Sequence, residues 1–238
     1  SVLRLIRALR GASFRTLIDL QNNDRSRLIG LFSGCRMYGN RGLPRGVPVH
    51  ENYERIVAPS GLLGRVDREF RPRPRSFIVL HTGASHRWAS KRLPVWKWRE
   101  IGEVLHRAFG LPLVLTGSRA EREEAERVAD ELAGTVRVQA GETDLQQLKT
   151  LLADAFLTVS TDSAPMHLSA VMKTPTIGLF GPTNWERSRP FGPWSTVLYD
   201  RTFYADGTPP SESRPETAPY FDNLDIREGL EALRAFLS

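Results

Sequence analysis

The sequence predicts an α/β protein that contains one complete doubly wound parallel-sheet domain and part of a second α/β domain. From Phe77 onward, short runs rich in β-branched and aromatic residues alternate with helical patterns, which is typical of a parallel sheet wrapped by helices. The first 76 residues contain one clear strand pattern, and one or two strands do not form a stable sheet alone. The length of 238 residues also exceeds one typical domain of about 150 residues.

The complete domain is predicted from six strands and the helices between them. Helix 96–109 has apolar residues at a period of about 3.6, and Gly110 follows it as a helix stop. Thr143 and Gln146 predict a capping box at the start of a later helix. The predicted strands are 77–82, 113–116, 136–139, 156–160, 176–180 and 196–199, and the predicted helices are 96–109, 121–132, 143–152 and 226–236.

The segment before residue 77 is interpreted as the later part of a second domain. Its predicted elements are helix 3–10, strand 16–20, helix 25–32, a short strand 36–38 and helix 52–58. Arg and Pro alternate over 71–75, which predicts a stiff linker. We therefore expect three segments: 1–76 with the linker, 77–200, and an irregular connection with a C-terminal helix over 201–238.

Composition excludes several classes of protein. With 40% apolar and 25% charged residues the chain is neither disordered nor collagen-like. No stretch approaches the roughly 18 uninterrupted apolar residues of a membrane-spanning helix. The single cysteine, Cys35, permits no internal disulfide, which fits a reducing compartment. We therefore expect a cytoplasmic protein.

The positive charge is concentrated at one end of the chain. Residues 1–76 hold 15 Arg, no Lys and 6 acidic residues, a net charge of +9, whereas residues 77–238 carry −3. This asymmetry favours an anionic partner for the first third, either a phosphorylated lipid or membrane surface or a nucleic acid. An Arg-rich solvated surface with no partner is the alternative.

Three loops that follow predicted strands carry residue types that bind phosphorylated ligands. Ligands of doubly wound sheets bind beyond the carboxyl ends of the strands. In the first loop, small residues admit an anion to backbone N–H groups, and two cations neutralise phosphate charge. A solvated basic loop is the alternative. The candidates here are Thr82, Gly83, Ala84, Ser85, Lys91 and Arg92.

The second loop places an acid near the start of a helix. Glu121 follows Gly117, and a carboxylate accepts two hydrogen bonds from the cis-diol of a ribose. An acid in the first turn of a helix is also favoured by the helix dipole, which is the alternative explanation.

The third loop, 161–168 (TDSAPMHL), predicts an anion site at a helix start. Pro165 suits the first helical position, and Asp162 or Ser163 suits the cap. The N–H groups there suit a pyrophosphate. Because a carboxylate repels phosphate, Asp162 is assigned to capping or to sugar hydroxyls, and His167 either donates to phosphate or packs in the core. The candidates are Asp162, Ser163, Ala164, Met166 and His167.

The run 160–183 (STDSAPMHLSAVMKTPTIGLFGPT), preceded by 81–94, resembles the donor-binding half of the lipopolysaccharide heptosyltransferase family, glycosyltransferase family nine. The similarity extends over nearly all of 77–199 in the same order. The resemblance implies the GT-B architecture, in which two Rossmann-like domains face a cleft. It also implies transfer of a heptose from an ADP-sugar to the phosphorylated inner core of lipopolysaccharide.

The resemblance assigns roles to the candidate residues. Lys91 contacts the donor phosphate and stabilises the leaving diphosphate, and Glu121 meets the ribose. Asp162, Ser163, Ala164 and His167 hold the sugar and the pyrophosphate. Lys91 and Asp162 are therefore the catalytic candidates. The expected partners are a nucleotide sugar and a phosphorylated lipid or oligosaccharide acceptor, and the expected location is the cytoplasmic face of the inner membrane.

Two departures from the family pattern qualify this assignment. Ala164 stands where the family has Gly, and we expect its methyl group either to crowd a close phosphate approach or to force a slightly different pose of the ligand. The Ser-Leu-Gly-Asp-like motif that carries the family's general base does not occur. Asp19, at a predicted strand end, is interpreted as a buried or capping carboxylate. We therefore expect an N-terminally incomplete transferase with weak or absent activity, and the catalytic base is not identified.

No metal or other cofactor is expected, because the sequence has no Asp-x-Asp motif and no His/Cys cluster with ligand spacing. A nucleotide-sugar-binding module without catalysis is the alternative function. Nucleic-acid binding is less favoured, since the run 39–42 (GNRG) resembles a KH-domain GxxG loop but lacks its flanking elements.

Overall fold

The protein consists of two compact units, Ser1–Arg68 and Glu69–Ser238. The computed structural model describes residues 2–21, 23–39, 46–64, 66–84, 86–210 and 218–238. The proline-containing stretch 71–75 is part of the second unit. There the guanidinium of Arg75 lies 5.5 Å from the ring centroid of Phe109 and 5.2 Å from that of Phe156.

The first unit is a small α/β layer. Strands β1 and β2 pair in parallel, with Thr16 opposite Arg36 and Asp19 opposite Gly39. Asn23 caps α2, because its side chain accepts from the Ser26 backbone N–H and its own N–H donates to the Ser26 hydroxyl. The elements are α1 (Val2–Gly11), β1 (Thr16–Asp19), α2 (Asp24–Ser33), β2 (Arg36–Gly39) and α3 (Val49–Val57).

The second unit is built on a six-stranded parallel sheet, which confirms the predicted sheet. Its spatial order is β5-β4-β3-β6-β7-β8, the order 3-2-1-4-5-6 of the Rossmann fold when the strands of this unit are counted alone. The strands are β3 (Ile78–His81), β4 (Leu113–Thr116), β5 (Val136–Val138), β6 (Leu157–Thr161), β7 (Thr176–Phe180) and β8 (Ser195–Tyr199).

Helices cover both faces of this sheet. Every residue of β3, β4, β6 and β7 is buried, as expected of parallel strands with packed layers on each side. Alternate residues of β3 enter two core clusters, since Ile78 and Leu80 join one and Val79 the other. The helices are α4 (Val95–Phe109), α5 (Arg122–Asp130), α6 (Leu145–Asp154), α7 (Ala164–Val171), α8 (Trp185–Ser188) and α9 (Ile226–Ala232).

The predicted capping box of α6 is wrong by one residue. Asp144 is the N-cap, and its Oδ1 accepts from the Gln147 backbone N–H at 2.8 Å while Gln147 Oε1 accepts from the Asp144 N–H at 2.8 Å. The sequence offers two overlapping patterns, Thr143 with Gln146 and Asp144 with Gln147. The carboxylate is the better acceptor at the positive end of a helix dipole.

The end of the chain packs on the same unit through a buried carboxylate. Asp200 accepts from the Thr202 hydroxyl at 2.6 Å and from the Asn223 backbone N–H at 2.8 Å. The predicted helix 226–236 is α9 followed by a 3-10 turn over Arg234–Phe236. Within the described ranges, no helix has the length and apolar character needed to cross a membrane.

Candidate functional site

The candidate site lies at the carboxyl edge of the sheet, between the neighbouring strands β3 and β6. The strand order reverses at this pair, and such a switch point leaves a crevice in which Rossmann-type sheets bind ligands. The Thr161 hydroxyl at the end of β6 donates to the Gly83 carbonyl at 2.8 Å. This bond ties the loop after β3 to the loop after β6.

A charged pair spans the crevice. Lys91 Nζ lies 2.8 Å from Asp162 Oδ2, and the two side chains are 18% and 10% exposed. The same ammonium lies 5.4 Å from the ring centroid of Trp88, within range of a cation–π interaction. Two predicted catalytic residues, separated by a long stretch of sequence, are therefore in direct contact.

His167 lies in the electrostatic field of this pair. Burial lowers its pKa below the ordinary value of 6.5, the carboxylate of Asp162 opposes that shift, and the ammonium of Lys91 adds to it. The imidazole is therefore neutral at neutral pH, with one ring N–H to donate. His167 is thus a partly buried neighbour of Lys91 and Asp162.

The N-cap position of α7 is occupied by Ser163, one of the two residues predicted for it. Its hydroxyl, however, donates to the Thr161 carbonyl at 3.1 Å, and the carboxylate of Asp162 is held by Lys91. Among the described residues no side chain caps α7, so capping, one of the two roles considered for Asp162, is wrong. Ala164 is the first residue of the helix and is exposed, so Pro165 occupies the second helical position and not the predicted first.

A second group of side chains surrounds Glu121. Its Oε2 accepts from the Ser118 backbone N–H at 2.7 Å, and the residue is only 9% exposed. A Cβ at Gly83 would lie 2.6 Å from Glu121 Cδ, and one at Gly117 would lie 3.3 Å from Glu121 Cβ. These two glycines therefore allow the carboxylate to sit between the loops after β3 and β4.

His81, the last residue of β3, also belongs to this group. Its Nδ1 lies 3.0 Å from Thr116 Oγ1, and burial lowers its pKa to about 4 although the carboxylate of Glu121 opposes the shift. The adjacent Thr82 is also buried, and its hydroxyl has no hydrogen-bond partner among the described residues.

Three other candidates have different surroundings. Arg92 Nη1 lies 3.1 Å from Glu124 Oε2, and its Nη2 donates to the Ala84 carbonyl at 3.2 Å, so its charge is already compensated. Met166 is fully buried, where its sulfur packs against Gly178. Ser85 lies outside the described residues.

Sequence reasoning missed four residues that shape the site. Trp88 carries the ammonium of Lys91 over its ring, and Thr116 and Thr161 supply hydroxyls at strand ends. His81, Trp88 and Thr161 belong to the loop motifs and Thr116 ends a predicted strand, but none of the four was predicted as a site residue. For His81 and Thr116 the available signal was a polar residue in the last position of an otherwise apolar buried strand. Across the described ranges, no group of three or more His, Cys, Asp or Glu side chains is arranged to hold a metal ion.

One protein-family model matches more than half of the chain. This model, described as Glycosyltransferase family 9 (heptosyltransferase), matches residues 60–206. The chain belongs to glycosyltransferase family 9. The resemblance predicted from the 160–183 motif is therefore confirmed, and the motif lies inside the matched segment of this family 9 chain.

Curated relatives match part of the family 9 chain. Lipopolysaccharide heptosyltransferase 1 of Pseudomonas aeruginosa is 37% identical over 98 residues, 41% of this chain and 27% of the relative. Lipooligosaccharide heptosyltransferase 2 of Haemophilus influenzae is 28% identical over 113 residues, 46% of this chain and 32% of the relative. The alignments thus span about a third of each relative's length.

Solved structures share the fold. An ADP-heptose lipopolysaccharide heptosyltransferase II from E. coli matches all of the family 9 chain and 80% of its own, with a TM-score of 0.66 at 19% identity. The E. coli heptosyltransferase WaaC with ADP matches 82% of this chain and 69% of its own, with a TM-score of 0.65 at 22% identity. The predicted GT-B-like α/β class, with a Rossmann-like doubly wound sheet, is confirmed.

Proposed function

We propose that this family 9 protein is a heptosyltransferase that transfers a heptose from an ADP-sugar to the phosphorylated inner core of lipopolysaccharide. The observation that carries the proposal is the contact between Lys91 and Asp162 beside the uncapped start of α7, at the switch point of a Rossmann-type sheet. The related structure of E. coli heptosyltransferase WaaC with ADP-2-deoxy-2-fluoro heptose supports an ADP-sugar as the donor.

The proposed reaction is a displacement at the anomeric carbon of the donor. The bond from that carbon to the diphosphate oxygen breaks, and a bond to an acceptor hydroxyl oxygen forms as the hydroxyl loses its proton. Lys91 and the N–H groups at the start of α7 stabilise the charge that develops on the departing diphosphate. We expect no cofactor for this step, and the base that takes the proton is not assigned.

The ion pair explains how a carboxylate is tolerated next to a diphosphate. With Nζ of Lys91 2.8 Å from its oxygen, the charge of Asp162 is locally compensated, so the region is not repulsive to an anion. We propose that the ammonium of Lys91, which has three N–H donors, stays on Asp162 Oδ2 and also donates to phosphate, while the other carboxylate oxygen of Asp162 accepts from sugar hydroxyls. Glu121, held between Gly83 and Gly117, is the proposed acceptor for the ribose hydroxyls.

The proposed acceptor is a phosphorylated lipid or oligosaccharide, and the proposed location is the cytoplasmic face of the inner membrane. The +9 charge of residues 1–76 supports both, since arginines bind phosphate and approach anionic lipid. Nucleic acid remains a disfavoured partner.

A thermal-shift panel of ADP-, UDP-, GDP- and CMP-linked sugars tests donor binding. A ligand at about 100 times its Kd stabilises the folded state by roughly 2.7 kcal/mol, which raises Tm by about 5 °C or more. We expect ADP-heptose to give this shift and Lys91→Ala to weaken donor binding at least about tenfold. Lys149→Ala, an exposed lysine on α6, is the matched control and should leave the shift unchanged.

The same samples separate the two candidate functions. A transferase releases ADP when acceptor is supplied, whereas a non-catalytic nucleotide-sugar-binding module, favoured by Ala164 at the start of α7, is stabilised by the donor and releases none. If none of the four nucleotide sugars raises Tm, both the transferase function and the nucleotide-sugar-binding function are excluded.

A further inference from the structure

Helix α2 of the first unit turns its large apolar side chains toward solvent. Leu28, Leu31 and Phe32 occupy positions i, i+3 and i+4 and are 50%, 73% and 48% exposed. Its buried residues are small, Gly30 and Ser33. A Cβ at Gly30 would lie 2.2 Å from Met37 Sδ, so the inward face fits closely against β2. The outward stripe of α2 thus lies on the face opposite its own packing contact.

Cationic side chains border this stripe. Arg25 lies one turn before Leu28 on α2 and is exposed. The neighbouring helix α1 presents exposed Arg7 and Arg10, has no acidic residue, and is joined to α2 by a 2.8 Å hydrogen bond from Arg10 Nε to the Phe32 carbonyl. Residues Arg7, Arg10, Arg25, Leu28, Leu31 and Phe32 together are called the α1–α2 surface.

We infer that the α1–α2 surface docks on an anionic phospholipid bilayer. In this arrangement the leucines and the phenylalanine enter the boundary between headgroups and acyl chains, and the arginines contact lipid phosphates. The inference builds on the membrane location in the proposed function and gives it a defined surface. It does not depend on donor binding, since every residue involved belongs to the first unit.

Charge complementarity favours lipid over a second copy of the chain. A symmetric contact between two α1–α2 surfaces would bring the same patch of each copy together, arginines included. Like charges at such an interface oppose association. An anionic bilayer offers acyl chains to the apolar stripe and phosphates to the arginines, so it is complementary to both.

The test is co-sedimentation of the full chain with vesicles. One set is phosphatidylcholine alone, and the other is equal parts phosphatidylcholine and phosphatidylglycerol. We expect binding to the anionic vesicles that weakens with added salt. Leu31→Asp and Arg25→Glu should each reduce the partition coefficient about tenfold or more. The matched controls are Leu145→Asp, at a residue 70% exposed in the second unit, and Arg137→Glu, at an exposed arginine of β5.

Three outcomes overturn the inference. The folded protein fails to bind anionic vesicles, or Leu31→Asp binds as well as Leu145→Asp, or light scattering shows a dimer that Leu31→Asp dissociates. Circular dichroism checks that each variant is folded. The donor thermal shift, measured on the same variants, reports separately on the proposed function.

Discussion

At the carboxyl end of β3, the imidazole of His81 is held almost without contact with water. Its pKa falls from 6.5 to about 4 because burial disfavours the charged form, even though the carboxylate of Glu121 opposes that effect. The unfolded chain therefore binds a proton at a pH where the folded chain does not. Stability from this residue is complete above about pH 6.5 and is lost as the pH falls toward 4.

Replacement of His81 should make folding less sensitive to acid. Between about pH 7 and about pH 4.5, we expect the free energy of unfolding of the natural chain to fall by up to about 3 kcal/mol from this group. His81→Asn should show a smaller fall in urea titrations at the two pH values. The exposed His106→Asn is the control and should follow the natural chain. Identical pH dependence for His81→Asn and the natural chain would contradict the assignment.

At the scale of elements, the sequence located strands more accurately than helix starts. Strands 113–116 and 176–180 have the predicted bounds, because buried parallel strands are continuous apolar runs bounded by Pro and Gly. The cap of α6 was predicted one residue too early, and at α7 the predicted cap residue Ser163 makes no side-chain bond to the helix start. Two overlapping patterns compete at α6, and at α7 the carboxylate of Asp162 is drawn away by Lys91, a partner that local sequence does not reveal.

The cap of α6 gives a matched pair of variants. Asp144→Ala removes the acceptor for the Gln147 N–H and should reduce the free energy of unfolding by about 1 kcal/mol. Thr143→Ala, one residue earlier, should change it by less than about 0.5 kcal/mol. Urea denaturation of both variants measures the difference, and equal losses would show that the Asp144 cap does not stabilise the helix.

At the scale of the whole molecule, the division into two units predicts which amides donor binding protects from exchange. The candidate donor residues all lie in Glu69–Ser238, whereas α1 and α2 lie in Ser1–Arg68. With ADP-heptose at about 100 times its Kd, we expect amide exchange around Gly83, Glu121 and the start of α7 to slow by up to about 100-fold. Amides of α1 and α2 should exchange at unchanged rates. Hydrogen exchange read by mass spectrometry makes this comparison, and slowing confined to α1 and α2 would contradict it.

The same scale explains which parts of the site the sequence revealed. Parallel topology brings the carboxyl ends of strands to one edge, so the three loops, each of which follows a predicted strand, were expected to share one site. Which charged side chains pair with each other at that edge could not be predicted from the sequence. Arg92 and Lys91 are adjacent in sequence, yet one is bound to Glu124 and the other to Asp162. The ion-pair partner of each residue depends on the path of its loop, and the spacing of residues along the sequence does not determine that path.

The central position of β3 also governs how the second unit assembles. Ile78 pairs with Leu113 on one side and with Leu157, much farther along the chain, on the other. Loop-closure entropy must be overcome before the more distant contact forms, and topologies rich in such contacts fold slowly. The β3–β4 pair is therefore expected to form before the β3–β6 pair. Because the crevice requires β6 beside β3, we expect the candidate site to form only with the second of these pairings.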